Sequence, residues 1–240
     1  GIAHCNFRLR GKEADEDELF VKEIAKKYKV HFYVNHFATK QIAKKEKISV
    51  QMAARSLRYG WLESLKNQYD YEYIATAHHQ NDAVETVLLN MVRGTGIAGL
   101  HGIIPKRNKI VRPLLFTTKE AIAEYAHANL LSYREDSSNS SSKYIRNKLR
   151  KEIIPVLKTI NPALEETVLQ NIERIKDVES VYNQAVEKAK ANVMERKLSE
   201  TFISIDKIKK LHPIQAYLYE ILSDFNFSQS VVKNIVDSLD

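Results

Sequence analysis

The chain has 240 residues, 44% of them hydrophobic, with 37 Lys plus Arg against 30 Asp plus Glu, a formal net charge of +7 and one cysteine. At roughly 100 to 200 residues per domain this holds one large or two modest domains with a buried core, which excludes disorder and collagen-like repeats. A lone Cys5 makes no internal disulfide and no Cys-x-x-Cys pair, no run of about 18 apolar residues offers a membrane span, and no basic-then-apolar leader is read, so the expectation is a cytoplasmic protein with no membrane partner.

Ile2-Ala3-His4-Cys5 reads as the end of a strand. From Ala14 to Lys29 the apolar residues Leu19, Phe20, Ile24 and Tyr28 recur at helical spacing, with acids early and lysines late, as the helix dipole favours. Val30 to Val34 reads as a strand, and Ser49 as the N-cap of a second helix through Ala53, Leu57, Trp61 and Leu65. A strand over Tyr71 to Ala77 precedes a helix over Asn81 to Val92, which a glycine-bearing loop, Gly94 to Gly102, terminates. Ile110-Val111 is a short strand, and Thr117 to Glu120 has the spacing of a capping box.

Such alternation predicts an α/β fold, a Rossmann-like, mostly parallel sheet with helices on both faces. Beyond residue 142 no sheet unit is expected: a basic helix over Tyr144 to Leu157 closes at Pro155, a long helix follows Asn161-Pro162, and two more helices follow, the last capped by Ser228. The expected division is an α/β domain over residues 1–180 and a small all-helical domain over 181–240.

Ala77-His78-His79-Gln80-Asn81-Asp82-Ala83-Val84-Glu85-Thr86 sits where a predicted strand hands over to a helix, the place where open α/β sheets bind ligands. Asp82 and Glu85, three apart, share one face of the first turn and suit a cation or ammonium; the alternative is that they complement the helix N-terminus. Adjacent His78 and His79 would point opposite ways on a continuing strand, which argues against zinc, and no metal ligand set is assigned. Arg93 and Gly94 open a loop whose glycines let backbone amides approach an anion, or simply cap the helix; it lacks the Gly-Lys-Ser/Thr of a Walker loop. Gln51, Arg55 and Arg58 share one side of their helix, suited to phosphate. From Lys143 to Lys158 six basic residues face one acid, with Arg146 and Arg150 on one face, a phosphate-binding or merely solvated surface.

Together these strings resemble the tRNA(Ile)-lysidine synthetase family of the N-type ATP pyrophosphatase (PP-loop) superfamily. The resemblance rests on His4 to Gly11, Gln51 with Ala54-Arg55 and Arg58-Tyr59, His78 to Thr86 with Arg93 to Gly96, Arg112-Pro113-Leu114-Leu115, and Asp136 to Asn139 with Arg146-Asn147. It implies an adenine nucleotide alpha-hydrolase-like fold and ATP- and Mg2+-dependent attachment of L-lysine to the wobble cytidine of tRNA(Ile). The C2 oxygen is adenylated first and the amine then displaces AMP. By motif position Asp82 and Glu85 recognise lysine, His78, His79, Arg93 and Gly94 line the ATP site, and Arg55, Asp82, Arg93 and Arg112 serve catalysis, the arginines by neutralising phosphate charge. Lys143, Arg146 and Arg150 are the expected tRNA contacts.

Two departures stand out. The family's Ser-Gly-Gly-x-Asp-Ser ATP loop is absent and expected upstream of Gly1, so the fragment alone is expected to be inactive, and Phe7 stands where relatives commonly have histidine. The alternatives are a catalytically silent tRNA-binding module or another PP-loop tRNA-modifying enzyme, of which the thiolation type relies on paired cysteines this chain lacks. The long helical stretch from Leu164 leaves a homodimer open.

Overall fold

The computed structural model describes residues 1–136, 145–198 and 200–239. It opens with β1 (Ile2–Asn6). At the strand's end Asn6 is buried, and its Nδ2 donates to Asp15 at 3.1 Å and Glu18 at 2.9 Å, which fastens α1 (Lys12–Lys27) to the strand. β2 (Phe32–His36) lies parallel to β1, Ile2 opposite Phe32 and Asn6 opposite His36. α2 (Thr39–Glu46) leads to α3 (Val50–Gln68), where Ser49 is the N-cap, its hydroxyl accepting the Met52 N–H at 3.1 Å.

The strand expected over 71–77 forms a ladder only as β3 (Ile74–Ala75), followed by α4 (Gln80–Arg93), α5 (Ile97–Leu100), β4 (Lys106–Arg107) and β5 (Ile110–Val111). β3 pairs in parallel with β5, which pairs antiparallel with β4. The ladder is short because β5 is bounded by the turn at Asn108, φ +54°, and by Pro113, which has no N–H to donate. α6 (Lys119–Ala128) starts one residue later than the expected capping box: Thr118 is the cap, accepting the Ala121 N–H at 3.1 Å, while the Thr117 carbonyl takes the Gln80 N–H at 2.9 Å.

The basic helix does not close at Pro155. α7 (Ile145–Lys148) widens into a π turn over Leu149–Ile153 and continues as α8 (Ile154–Ile160). Pro155 removes one helical donor, and the π turn just before it re-registers the hydrogen bonds so that the helix continues. Then come α9 (Leu164–Val193), β6 (Met194–Lys197), β7 (Glu200–Ile203), α10 (Ile205–Ile208), α11 (Ile214–Ser223) and α12 (Gln229–Asp237). The C-terminal part is helical as expected, with one addition, the short antiparallel β6–β7 hairpin, Met194 opposite Ile203. Four-residue strands in the polar string Met-Glu-Arg-Lys are too short to show an alternating pattern.

Two compact units result: Gly1–Glu85 with Ile103–Val156, and Thr86–Gly102 with Leu157–Asp240. The division expected at residue 180 falls inside α9, one unbroken helix. In the first unit Ala14, Ala25, Phe37, Ala53, Ile74 and Leu115 are buried. In the second, Val193, Ile208, Leu218, Ile221, Leu222 and Val232 form one apolar cluster. Among the described residues no helix is long and apolar enough to cross a membrane.

Candidate active site

β3 delivers the chain to the start of α4 through Thr76-Ala77-His78-His79. The Thr76 N–H still donates to Val111 at 3.0 Å, so the backbone is fixed to β5 immediately before the histidines. The Thr76 hydroxyl lies 2.9 Å from His78 Nδ1, which sets the ring's rotation. Burial holds the His78 pKa below the ordinary histidine value; Asp82 pulls it up, while Arg112, Arg146 and Arg55 push it down. A histidine so placed is neutral at pH 7 and offers a hydrogen bond without adding charge.

Asp82 has two tasks. One carboxylate oxygen accepts the His79 backbone N–H at 3.0 Å, the returning half of a capping box, and stands 3.5 Å from His79 Nε2. The other faces Arg150 Nη2 at 3.9 Å. The helix-cap reading is thus realised, and the same side chain also faces a cation of the chain itself. His79 Nδ1 is buried with no hydrogen-bond partner among the described residues.

Glu85 is fully buried, as are Ala83 and Val84 beside it in α4. A buried carboxylate persists only if matched, and Arg150 from the π turn matches it edge-on: Nε to Oε1 at 2.7 Å and Nη2 to Oε2 at 3.1 Å. That bond raises the Arg150 pKa above its already high ordinary value against the cost of burial. Arg150, expected at a tRNA surface, is thus bound to the two carboxylates expected to read lysine.

The other predicted cations lie as follows. Arg112 is partly buried, Nη1 donates to the Ile104 carbonyl at 2.7 Å, and Nε is buried with no acceptor among the described residues. Burial lowers its pKa, Tyr59 raises it, and the neighbouring cations Arg55 and Arg107 lower it. Arg55 is exposed, 4.9 Å above the Tyr59 ring, and Arg58 lies 5.3 Å above Phe7. Phe7 in turn stacks on Phe37 at 5.5 Å and serves as an aromatic seat for that arginine. Arg146 is exposed; Lys143 lies outside the described residues. Arg93 and Gly94 belong to the second unit, both exposed at the end of α4, and Gly94, φ +80°, turns the chain in the left-handed conformation that favours glycine.

In the first unit residues of β1 and β3 line one cleft of about 690 Å3, into which His78, Asp82, Arg58 and Arg146 are also gathered. Among the described residues β1 pairs only with β2 and β3 only with β5. Sequence reasoning missed Thr76, although its place two residues before His78 puts both on one strand face. It also missed the cleft's tyrosines, where the Tyr33 hydroxyl lies 3.3 Å from that of Tyr71 and the Tyr33 ring packs tilted against Tyr69 behind it at 4.7 Å, because these tyrosines are scattered along the chain.

Comparison with known proteins adds independent findings. The PP-loop domain family matches residues 1–157, and the TilS substrate binding domain family matches residues 196–240. The tRNA(Ile)-lysidine synthase of Bacteroides thetaiotaomicron is 39% identical over 99% of this chain and 55% of its own length, and that of Porphyromonas gingivalis is 40% identical over 99% and 52%. The chain spans about half the length of these curated relatives. The solved structure of the U34-tRNA thiolase NcsA from Methanococcus maripaludis with its [4Fe-4S] cluster superposes with a TM-score of 0.58 at 17% identity, covering 72% of this chain and 61% of that one, and shares the fold. With well over half of its length matched, the chain belongs to the PP-loop domain family, where its sequence is similar to tRNA(Ile)-lysidine synthases.

Proposed function

We propose that the protein carrying this chain ligates L-lysine to the wobble cytidine of tRNA(Ile) with a CAU anticodon, in the cytoplasm, consuming ATP and releasing AMP and pyrophosphate. The observation that supports this most is the succession, in one chain, of a PP-loop match over 1–157 and a TilS substrate binding match over 196–240, in company with relatives of that name. ATP activates the cytidine C2 oxygen, and the residues described above do the rest. Arg55 and Arg112 neutralise phosphate charge, and Arg112 Nε, buried with no acceptor among the described residues, fits an anion. His78 and His79 line the nucleotide. Asp82 meets the lysine ammonium, with Glu85 behind it. Arg146 and Lys143 meet the tRNA. A magnesium ion held by the nucleotide phosphates would supply further charge neutralisation there.

The test is incorporation of labelled lysine into unmodified tRNA(Ile) by the full-length protein. ATP-dependent labelling with one pyrophosphate released per lysine is expected. Binding of tRNA with no transfer at any ATP concentration would replace this reading with that of a silent binding module.

A further inference from the structure

From Ile103 to Lys119 the first unit contains five cations, Lys106, Arg107, Lys109, Arg112 and Lys119, and no Asp or Glu at all. The fold gathers three of them onto the β4–β5 hairpin. Lys106 and Arg107 form the edge strand β4, and Lys109 follows Asn108 at the turn. All three are exposed, and no carboxylate pairs with any of them among the described residues. This differs from α1, whose acids are taken up by Arg10 and Arg134.

Two of the hairpin's cations are held in place without being neutralised. Lys106 Nζ lies 4.6 Å and Lys109 Nζ 5.6 Å from the centre of the Tyr73 ring, and Lys106 also donates to the Tyr73 hydroxyl at 3.2 Å. A π face attracts an ammonium but carries no net charge, so the two lysines are positioned at reduced entropic cost while remaining attractive to an anion. The hairpin also belongs to the sheet that ends at His78: the Arg112 N–H donates to Pro105 at 2.9 Å and the Thr76 N–H to Val111 at 3.0 Å. Cations therefore run from the hairpin through Arg112 toward the strand end where the candidate chemistry lies.

We propose that the β4–β5 hairpin, through Lys106, Arg107 and Lys109, is a docking surface for the phosphate backbone of the RNA substrate. The inference rests on the proposed function for the identity of that RNA. Charges on an edge strand also deter edge-to-edge aggregation, a role that needs no polyanion and predicts no salt-dependent RNA affinity. Phosphate contacts release counterions, so each one lost lowers the slope of log affinity against log salt by about 0.7 to 0.9.

The experiment compares the full-length protein with the K106Q/R107Q/K109Q variant and the charge-keeping K106R/R107K/K109R variant. Affinity for unmodified tRNA(Ile) is measured across a salt series, with circular dichroism confirming the fold. The neutralised variant is expected to bind at least tenfold more weakly near 0.1 M salt, with a slope smaller by about two, and the charge-keeping variant to bind like the parent. Equal affinity and slope in all three proteins would overturn the proposal, as would a neutralised variant that aggregates but binds tRNA normally. Failure of the unsubstituted protein to bind tRNA at all would instead strike at the proposed function itself.

Discussion

Arg150 closes edge-on against Glu85, Nε to Oε1 at 2.7 Å and Nη2 to Oε2 at 3.1 Å, and the carboxylate it holds is fully buried. The pair joins the π turn after α7 to the first turns of α4, and Asp82 stands 3.9 Å from the same guanidinium. The site that would read an ammonium is therefore already shaped around a cation supplied by the chain.

The pair predicts an asymmetric response to mutation. Arg150→Ala leaves a buried carboxylate unmatched and is expected to cost about 3 kcal/mol, the lower end for such a loss because the arginine is one-third exposed. Replacing both partners, as in E85Q/R150M, removes the uncompensated charge and is expected to recover most of that loss. Guanidinium unfolding midpoints check this; an Arg150→Ala midpoint equal to the parent's would show that Glu85 needs no partner.

The proposed function gives Asp82 a part in lysine recognition and none in nucleotide binding. Asp82→Asn keeps an acceptor for the His79 N–H but loses the charge. A hydrogen bond to a charged group contributes roughly 1.5 to 3 kcal/mol, so the KM for lysine is expected to rise roughly 10- to 150-fold. The KM for ATP is expected to change little. Steady-state kinetics with each substrate varied decides, and a selective rise in the ATP KM would move Asp82 to the nucleotide.

Stability depends on acid through two histidines and one aspartate. Burial lowers the pKa of His4 and of His78, so below the unfolded value of 6.5 the unfolded chain binds more protons and stability falls. The loss begins near pH 6.5 and continues down to the folded values. Burial works against the charged Asp17 carboxylate, but hydrogen bonds from Arg134 and Arg10 outweigh it and hold its pKa below 3.8. Its contribution is fully present above the unfolded value and is lost as pH falls through the folded one. Urea midpoints from pH 8 to 3 should fall in two stages, and H4Q/H78Q should flatten the upper stage; an unchanged upper stage would contradict the assignment.

The cap of α3 carries the helix that presents Arg55 and Arg58. Ser49→Ala removes the acceptor of the Met52 N–H and is expected to cost about 1 kcal/mol, read as a lower thermal midpoint, with RNA and ATP affinities changed far less than by Arg55→Ala.

The elements legible in the sequence were those that local chemistry decides. Ser49 and Ser228 announce helices because a hydroxyl accepts the N–H three residues on, and both do so. The string from His78 to Glu85 was legible as a site because it straddles a strand end and a helix start. The pairing of Glu85 with Arg150 was not legible, since it joins residues 65 apart through a π turn that no local pattern announces. Nor was the continuation of the helix through Pro155, where tertiary packing overrode a local stop signal. The acid-free run around the hairpin was visible in composition, but only the exposure of its side chains and their seat on Tyr73 turn it into a surface.

The most direct measurement of the central claim is nucleoside analysis of unmodified tRNA(Ile) after incubation with ATP, lysine and the full-length protein, in parent and Asp82→Asn forms. The account predicts lysine covalently attached at the wobble cytidine with the parent, and strong loss of that product with the variant at low lysine that high lysine largely restores. An unmodified cytidine with the parent protein, under conditions where it binds both ATP and tRNA, would contradict it.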